Sequence, residues 1–346
     1  MQNYAPTSSL NIYLVLPKAE LHRHLEGSLR IATMLEIARQ HGITVPQSIL
    51  SLSGLVQVGD EEPYTFSNFL EKFKTLRLFY RSPDVIHRVT REAVEDAARD
   101  NVRYMELRFT PVALSRAERF PLHDVMDWVC ESASTTAEKL GVTVKLIASV
   151  NRHESTELAE QVAWLACSMQ NKGIVGLDIA GNEAEFPGKP FAPIFREAKE
   201  SGLKITVHAG EWGGADNVRE AIEVLGADRI GHGVRVLEDE NVVALARERG
   251  TVFEVCVTSN YQSGVTSSLK EHPLPRMIKS GLLTTVNTDD PSISRISLSS
   301  EYQMVNANLD ISLPTLKELT LNAINAAFVS DTEKEKLVTQ FKKGLE

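Results

Sequence analysis

Residues 17 to 25 read Pro-Lys-Ala-Glu-Leu-His-Arg-His-Leu, a short apolar segment that carries two histidines, His22 and His24, at its end. Successive side chains of a β-strand point to opposite faces, so residues two apart point the same way. If the segment is a strand, both imidazoles therefore face one point beyond its end. The spacing predicts that the two side chains act together at that point.

Seven more apolar runs follow this segment, and stretches of helical period lie between them. The eight runs cover residues 19–25, 102–109, 142–150, 174–179, 203–209, 229–233, 251–258 and 282–288. The helical patterns cover residues 33–40, 124–140, 158–171, 218–225 and 241–249. Strands that are apolar along their whole length and alternate with helices are typical of a parallel sheet buried on both faces. Eight such strands predict an α/β fold, the (β/α)8 TIM barrel.

Two segments depart from this alternation. Residues 46–80 are too long for a simple loop, and apolar residues recur there at helical spacing: Phe66, Phe69, Phe73, Leu76 and Phe79. The pattern predicts an inserted helical segment, which either covers the barrel mouth as a lid or belongs to the outer helix layer. Residues 300–346 show helical patterns only. We find no repeat or linker, so residues 1–346 are predicted to form one catalytic domain.

The composition argues against several classes of protein. The 346 residues carry a formal net charge of −9 at pH 7, which argues against nucleic acid as a partner. No window is apolar enough to span a membrane. The apolar run at residues 10–16 leads directly into the histidine pair, so a cleaved signal peptide is not expected. Cys130, Cys167 and Cys256 stand among apolar neighbours and are expected to be buried thiols in a cytoplasmic protein.

Residues able to carry chemistry collect at the carboxyl ends of the predicted strands, where such barrels place their active sites. They are His22 and His24 on the first strand, Asp178 and Gly181 on the fourth, His208 and Glu211 on the fifth, His232 on the sixth, and Asp289 and Asp290 on the eighth. A single histidine in an apolar run is usually a hydrogen-bonded core residue, but four at equivalent strand ends favour a metal site. The remaining histidines fall in predicted helices or loops and are expected to lie on the surface: His41, His87, His123, His153 and His272.

Three imidazoles and a carboxylate are the predicted metal ligands: His22, His24, His208 and Asp289. This donor set suits zinc, and it leaves iron, cobalt and manganese open. Binuclear hydrolases of this barrel class bridge their metals through a carbamylated lysine on the fourth strand. Residues 174–183 contain no lysine, so one metal is expected. A bound divalent metal lowers the pKa of its water from 15.7 to about 7, which supplies a nucleophile at neutral pH.

Three polar residues beside the predicted ligands are candidates for the remaining chemistry. His232 is not needed to complete the metal site and is expected to hold the attacking water by electrostatics. Glu211 lies three residues after His208 and is expected to shuttle a proton on the substrate side. Asp290 precedes Pro291, which favours an extended backbone there. It is expected to face away from the metal and to accept a hydrogen bond from a substrate N–H.

The chain resembles the adenosine deaminase family of metal-dependent amidohydrolases through motifs that run almost from end to end. They are Ala-Glu-Leu-His-Arg-His-Leu-Glu-Gly-Ser at 19–28, Tyr-Met-Glu-Leu-Arg-Phe-Thr-Pro at 104–111, Gly-Leu-Asp-Ile-Ala-Gly-Asn-Glu at 176–183, Val-His-Ala-Gly-Glu at 207–211, Arg-Ile-Gly-His-Gly-Val-Arg at 229–235, Thr-Ser-Asn at 258–260 and Val-Asn-Thr-Asp-Asp-Pro-Ser at 286–292. Each motif is weak alone, but their order and spacing together are highly specific.

The resemblance implies hydrolytic deamination of adenosine or 2′-deoxyadenosine to inosine or 2′-deoxyinosine and ammonia, with one Zn²⁺ per chain. Glu211 would protonate N1 of the purine, while His232 and Asp289 hold the attacking water. The residues implied to contact the purine nucleoside are His24, Glu26, Gly181 and Asp290, with the Gly181 N–H on N3 and Asp290 at N7. The role of Glu211 requires a protonated carboxyl, so burial is expected to raise its pKa.

One position departs from the family pattern. Adenosine deaminases usually carry Asp after the His-x-His-Leu motif, whereas this chain carries Glu26. That carboxylate is implied to bind the ribose 5′-hydroxyl, and one added methylene moves it by about 1.5 Å. Adenine deaminases and other relatives often have Glu there, but Gly-His-Gly-Val-Arg at 231–235 matches adenosine enzymes rather than the Asp-His-Gly associated with adenine enzymes.

Other substrates and classes therefore stay open. The alternative substrates are adenine, an N6-substituted adenine nucleotide and 6-amino-6-deoxyfutalosine. A phosphorylated substrate would require basic residues near the mouth, for which Arg23 and Arg108 are candidates. A metal-binding signalling relative without catalysis would have lost Glu211 or His232, and both are present. A general amidohydrolase is disfavoured because the fourth strand offers no lysine.

Overall fold

The computed structural model describes residues 9–346 and arranges eight parallel strands in one sheet. The strands are β1 (Lys18–His24), β2 (Val102–Phe109), β3 (Thr143–Asn151), β4 (Ile174–Ala180), β5 (Lys204–Ala209), β6 (Arg229–His232), β7 (Val252–Val255) and β8 (Leu283–Val286). Each strand pairs with the next along the chain. After β8 the Asp289 N–H donates to the His22 carbonyl at 2.9 Å and the His24 N–H donates to the Asp289 carbonyl at 2.8 Å, which closes the barrel. The predicted TIM barrel is confirmed.

Helices surround the barrel and connect its strands. They are α1 (Ser9–Val15), α2 (Ile31–His41), α3 (Ile49–Val56), α4 (Phe66–Leu76), α5 (Pro83–Arg99), α6 (Pro111–Ser115), α7 (Leu122–Leu140), α8 (Thr156–Ser168), α9 (Ala192–Glu200), α10 (Ala215–Glu223), α11 (Glu240–Arg249), α12 (Val257–Gln262), α13 (Leu274–Lys279), α14 (Pro291–Ser294), α15 (Leu298–Leu309), α16 (Leu313–Asn325) and α17 (Asp331–Leu345). Among these described helices, none combines the length and apolar character that a bilayer crossing requires.

The predicted local structure holds with few exceptions. The five helical patterns of the sequence correspond to α2, α7, α8, α10 and α11. The seventh apolar run was expected to be a strand as far as residue 258, but β7 ends at Val255 and α12 begins at Val257. Val257 is fully buried, so a helical turn across the barrel end presents the same apolar signal as a longer strand. Cys130 and Cys256 are buried as expected, whereas Cys167 is half-buried.

Helix α7 shows how the sequence specifies one outer element. Pro121 precedes its first turn, and Gly141 ends it in the left-handed region at φ 64, where glycine carries no steric penalty. The Gly141 N–H bonds back to the carbonyls of the last turn. Between these ends, the helix buries one apolar face that includes Val125 and Val129. A single amphipathic stripe thus fixes which side of α7 packs towards the barrel.

The insertion and the tail are both helical. Residues 46–80 contain α3 and α4, and Phe69 and Leu76 of α4 are buried. The tail contains α15, α16 and α17, and the last two cover an apolar cluster formed with Leu21 of β1 and Tyr104 of β2.

The barrel interior contains a network of buried ion pairs instead of purely apolar layers. Arg229 Nε donates to Glu254 Oε1 at 2.6 Å, and Arg108 Nη2 donates to Glu254 Oε2 at 2.6 Å. Arg229 also pairs with Glu106, which accepts a hydrogen bond from the Tyr104 hydroxyl at 2.6 Å. Burial opposes the charge of Glu254, but Arg108 and Arg229 hold the pKa of this carboxyl well below its usual range. The network supports the site at the strand ends with fixed charges.

Removing one charge from this network is expected to destabilise the protein. Glu106→Gln leaves Arg229 with one carboxylate partner in a fully buried position, and breaking a buried pair typically costs ~3–5 kcal/mol. Urea unfolding measures the change in the free energy of unfolding. Glu71→Gln is the matched control, because its partner Lys74 is 72% exposed and such surface pairs contribute less than ~1 kcal/mol. Equal effects of the two substitutions would contradict a stabilising role of the network.

Candidate metal centre and active site

The four predicted metal ligands meet at the carboxyl end of the barrel. Donor atoms of His22, His24, His208 and Asp289 all lie within 4.8 Å of one another. His24 Nε2 is 3.2 Å from His208 Nε2, and His22 Nε2 is 3.2 Å from Asp289 Oδ1. β1 supplies the first two residues, β5 supplies His208, and the segment after β8 supplies the carboxylate. The structure thus brings together side chains separated by up to 267 positions along the sequence.

Two of these imidazoles are oriented from behind by carboxylates. His22 Nδ1 lies 2.8 Å from Glu254 Oε2, and His208 Nδ1 lies 3.0 Å from Asp178 Oδ1. An ionised carboxylate only accepts, so each ring donates through Nδ1 and directs the Nε2 lone pair at the cluster. His22 Nε2 is fully buried and has no hydrogen-bond partner among the described residues. A buried lone pair without a partner fits a metal ion. The orientation of the two rings and the nitrogen and oxygen donors of the cluster fit one as well.

Asp178 links His208 to the ion-pair network of the barrel interior, because its Oδ1 also lies 3.5 Å from Arg108 Nη1. Its Oδ2 accepts a hydrogen bond from Ser149 Oγ at 2.9 Å. Burial alone would raise the pKa of the Asp178 carboxyl, but His208 and Arg108 lower it well below its usual value. The carboxylate is therefore ionised at neutral pH. This is the arrangement that raises the basicity of a metal-binding imidazole.

Local backbone geometry places the ligands and their neighbours. His232 and Asp289 adopt positive φ angles of 60° and 62°, a region that residues with side chains seldom occupy. His232 is the last residue of β6 and Asp289 lies three residues after β8, and both side chains line the cavity. Gly231 leaves room for His22, because a Cβ there would lie 2.9 Å from the His22 ring. Gly27 likewise accommodates the Asp290 carboxyl, which would lie 1.8 Å from an added Cβ.

Cys256 forms a second, overlapping group with His22, His232 and Asp289. Its thiol lies 3.5 Å from the Glu254 carbonyl, to which it donates. Burial raises the pKa of this thiol well above its usual value, and the nearby carboxylate of Asp289 adds to the effect. A protonated thiol is a poor metal ligand, so the group of three histidines and Asp289 is the better fit.

Glu211 lies beside the metal ligands on the loop that follows β5. Its Oε2 is 3.6 Å from His232 Nε2, and its side chain is almost fully buried. Burial raises the pKa of the Glu211 carboxyl well above the ordinary range, and the nearby charges of Asp289, Glu183 and Asp290 act in the same direction. This direction agrees with the shift expected of a proton donor, because it favours the protonated carboxyl.

Sequence reasoning missed the residue that holds this loop in place. Oε1 of the buried Glu183 accepts from the backbone N–H groups of Glu211, Trp212 and Gly213 at 2.7–2.8 Å. Its other oxygen accepts from the Gly210 N–H at 2.9 Å. Glu183 ends the Gly-Asn-Glu motif after β4, but its partners are backbone groups. Their involvement leaves no pattern in the sequence.

A cavity of about 350 Å³ opens from the cluster towards solvent. Its lining includes His24, His208, Glu211, His232, Asp289, Asp290, Glu26, Gly181 and, from α4, Phe69, Leu70 and Phe73. Gly181 has φ 101, a conformation that only glycine adopts readily. The structure therefore gathers the sequence-predicted site residues into the wall of one cavity, apart from His22 and Asp178, which do not line it.

Two carboxyls in the wall each have an unsatisfied oxygen. Glu26 Oε1 accepts from the Thr110 N–H at 2.6 Å, whereas Oε2 has no partner among residues 9–346. Asp290 Oδ1 is also buried without a partner there. Burial raises the pKa of Glu26 to about 7, and it raises that of Asp290 well above its usual value with help from the charge of Asp289. Asp290 Oδ1 therefore faces the cavity free to meet a ligand, and its role as a hydrogen-bond partner of the substrate stays a prediction.

Several basic residues lie elsewhere than the sequence suggested. Arg108 is fully buried in the ion-pair network, and Arg23 is buried with its Nε donating to Ser28 Oγ at 3.1 Å. Neither can bind a substrate phosphate, so both candidates were wrong. The cations that line the cavity are Lys74 and Arg77, and the imidazole of His153 lines it as well. His272, expected on the surface, is buried, and its hydrogen bonds explain why.

A family model described as adenosine deaminase matches residues 17–343. The chain is 36% identical over 329 residues to an adenosine deaminase of Salmonella typhimurium, covering 94% of this chain and 98% of that protein. It is 35% identical over 324 residues to an adenosine deaminase of Clostridium perfringens, with 94% and 97% covered.

Solved structures show the same fold. An adenine deaminase of Arthrobacter aurescens has a TM-score of 0.87 at 29% identity, with 95% of this chain and 98% of that chain covered. A zinc-bound amidohydrolase of Burkholderia ambifaria has a TM-score of 0.88 at 25% identity, with 99% and 95% covered. An Arabidopsis protein called ADAL, complexed with IMP, has a TM-score of 0.86 at 28% identity, with 97% and 98% covered.

Proposed function

The chain belongs to the adenosine deaminase family, and from that premise we propose that it deaminates adenosine and 2′-deoxyadenosine hydrolytically with one bound Zn²⁺. Membership makes it a hydrolase that acts on the C6 amine of an aminopurine. One observation supports the proposal most strongly. Glu211, buried and with its pKa raised, lies beside His232 and the predicted metal ligands, in the wall of a cavity that has room for a nucleoside.

The proposed ligands are His22, His24, His208 and Asp289. A zinc ion bound there would supply Lewis-acid activation of water at neutral pH. His24, His208 and Asp289 line the cavity, so an ion held by the four residues would lie beside the space proposed for the substrate. Zinc is proposed over other divalent metals because the donors are nitrogen-rich, and because the Burkholderia ambifaria relative is described with bound zinc.

The chain's own residues would orient the purine by its ring nitrogens. The Gly181 N–H would donate to N3, and Asp290, whose pKa is raised by burial, would donate to N7 in its protonated form, since both nitrogens carry lone pairs in a 9-substituted purine. Glu211 would donate its proton to N1 as the ring loses aromaticity. This increases the positive charge at C6, where the attacking oxygen adds. With His232 and Asp289 holding the water, these contacts fix both reactants in one geometry.

The reaction balances as one aminopurine and one water giving one 6-oxopurine and one ammonia. The C6–O bond forms before the C6–N bond breaks, and the departing amine takes up a proton to leave as ammonia. Loss of absorbance of the aminopurine in the ultraviolet follows the conversion directly. A side-by-side assay of adenosine, 2′-deoxyadenosine, adenine and 6-amino-6-deoxyfutalosine tests the proposal, and the absence of turnover of all four by the zinc-loaded protein would refute it.

Glu26 is proposed to bind the ribose 5′-hydroxyl through its free Oε2. Because the Thr110 N–H anchors Oε1, the second oxygen has a fixed position in the wall. Shortening the side chain would withdraw both oxygens and break the anchor. The residue should therefore control the contribution of the 5′-hydroxyl to catalysis without affecting the ring chemistry.

Glu26→Asp is accordingly expected to lower kcat/KM for adenosine by about tenfold, the value of one hydrogen bond to a charged group. The same substitution should leave kcat/KM for 5′-deoxyadenosine within about twofold, because that substrate lacks the hydroxyl. Steady-state kinetics with both nucleosides measures the difference. Equal losses for the two substrates would exclude a contact between Glu26 and the 5′-hydroxyl.

A nucleotide is the second candidate substrate, favoured by the cations of the cavity wall. Arg77 Nε is buried without a hydrogen-bond partner among the described residues, and the guanidinium acts on the charge of Glu26. The related Arabidopsis ADAL structure is described as a complex with IMP. An N6-substituted adenine nucleotide would place its phosphate towards Arg77 and His153. Turnover of N6-methyl-AMP faster than of adenosine would favour this candidate.

The helical insertion is proposed to act as a lid. Phe69, Leu70 and Phe73 of α4 line the cavity. Phe66 packs against Trp212, the residue after Glu211, with ring centroids 4.0 Å apart. Residues 46–80 thus contact both the substrate space and the loop of the proton donor.

Two further proposals follow from the sequence. Residues 1–346 are proposed to act as one catalytic domain, and the protein is proposed to work in the cytoplasm, where the three free cysteines stay reduced.

A further inference from the structure

Among the imidazoles of the proposed site, His232 has an inner nitrogen that contacts a side-chain amide, whereas those of His22 and His208 contact carboxylates. Its Nδ1 lies 3.0 Å from Nδ2 of Asn260, on α12. The opposite nitrogen, Nε2, faces the cavity 3.6 Å from Glu211 Oε2 and 3.8 Å from Asp289 Oδ2. Whether Nε2 carries a proton decides whether the ring can donate to the attacking water or accept from it. The answer depends on the hydrogen-bonded residues behind Asn260.

A backbone amide sets the direction of this chain of hydrogen bonds. The Leu274 N–H lies 3.1 Å from Nδ1 of His272, and a backbone N–H can only donate. His272 Nδ1 is therefore an unprotonated acceptor, which makes the ring neutral and places its one proton on Nε2. Burial agrees with this, because it lowers the pKa of His272 to about 3.

The side-chain amide of Asn260 carries this donor-to-acceptor direction on to His232. His272 Nε2 lies 3.3 Å from Asn260 Oδ1 and must donate to it. The amide nitrogen of Asn260 is thereby left facing His232, and an amide nitrogen only donates. His232 Nδ1 is consequently an acceptor as well. A ring that accepts at Nδ1 is neutral and carries its proton on Nε2, the nitrogen in the cavity.

We propose that Asn260 and His272 are positioning residues that fix His232 as a hydrogen-bond donor to the attacking water. The inference rests on the proposed function and deepens it, because it excludes this imidazole as the group that accepts the proton of the water. That proton must pass to another group. The same tautomer also explains why His232 does not complete the metal site through Nε2.

The contrast with His22 and His208 supports the assignment. In those two residues a carboxylate accepts from Nδ1–H, and the Nε2 lone pair is free for a metal. In His232 the partner is an amide that donates, so Nε2 carries hydrogen. Imidazoles of one cluster thus have two roles, metal ligand and hydrogen-bond donor. The group bound to Nδ1 of each ring, a carboxylate or an amide, decides which role the ring has.

The tautomer can be read directly in the resting protein. Long-range ¹H–¹⁵N correlation spectra of the zinc-loaded protein, labelled with ¹⁵N-histidine, distinguish the two neutral tautomers, and a His232→Gln sample assigns the resonance. We expect His232 to be protonated at Nε2. Protonation at Nδ1 would overturn the proposal. The measurement needs no substrate. Its result therefore does not depend on whether the protein turns over any of the proposed substrates.

Asn260→Asp tests the consequence for catalysis with an isosteric change. A carboxylate at this position accepts from His232 Nδ1–H and leaves Nε2 as a lone pair, the arrangement found for His22. We expect kcat to fall about 100-fold, the typical effect of losing one donor to the reacting oxygen, with KM changed less than about threefold. Equal or higher kcat would overturn the proposal, because an imidazole acting as a base would benefit from the carboxylate.

Asn306→Asp is the matched control for introducing a carboxylate in place of an amide. Asn306 lies on α15, is half-buried, and bonds to Tyr13 and to the Ile311 carbonyl away from the cavity. It should leave kcat for adenosine within about twofold of the wild type. Zinc content of both variants, measured by mass spectrometry, should remain one per chain.

Discussion

Replacement of Glu211 by glutamine is expected to lower kcat by about 10²–10⁴-fold while zinc stays bound. Glutamine keeps the size and a hydrogen-bond donor of the side chain but cannot transfer a proton to N1. The residue is not among the four predicted ligands, so the metal content should stay at one per chain. Steady-state kinetics with adenosine, together with zinc analysis of the same preparation, measures both quantities.

The control for this substitution is Glu185→Gln, which removes an exposed carboxylate from the neighbouring loop after β4 and should leave kcat unchanged. The pH profile provides a second readout. Burial raises the pKa of Glu211, and a proton donor is active below its pKa, so activity should fall as pH rises through that raised value. Glu211→Gln should lack this basic limb. Wild-type turnover by Glu211→Gln would remove the residue from the mechanism.

His24→Ala is expected to abolish stoichiometric zinc binding and, with it, nearly all activity. The side chain contributes one of three nitrogens, and its Nε2 lies 3.2–3.3 Å from His208 and Asp289 donor atoms. Loss of one of four donors should weaken zinc binding by at least about 10³-fold, beyond the 10–100-fold typical of outer partners. Zinc per chain, measured after dialysis against a weak chelator, tests this directly.

His123→Ala is the matched control, because that imidazole is 59% exposed on α7, outside the cavity. It should retain one zinc per chain and full activity. Circular dichroism of both variants checks that the barrel is intact, since the helices that surround it dominate the signal. Full zinc occupancy of His24→Ala with wild-type affinity would refute the ligand role of His24.

The barrel and the ligand set could be predicted because their signals are local. Each strand is a short apolar run, and each ligand lies at or near the end of one, so alternation and strand order place them together. The strand boundary after Val255 was predicted too late because Val257, although apolar and buried, belongs to a helix. Apolar character alone cannot separate these cases.

The supporting polar groups could not be predicted, because they depend on pairing between distant strands. Arg108 lies on β2 and Glu254 on β7, and only the closed barrel brings them together. Without that pairing, Arg108 near a strand end looked like a phosphate ligand. The raised pKa of Asp290 could not be predicted for a similar reason, because it follows from burial beside another carboxyl, which a sequence does not display.

Glu183 has a consequence for how this enzyme can change over evolutionary time. Its carboxylate fastens the Glu211 loop to the segment that begins at Gly181, so the groups proposed for N1 and N3 share one anchor. Glu26 follows β1 and α4 belongs to residues 46–80, so both line the cavity from other pieces of the chain. Mutations can therefore change the part of the cavity that would bind the sugar, or another N9 substituent, while the groups proposed to bind N1 and N3 of the purine stay in place.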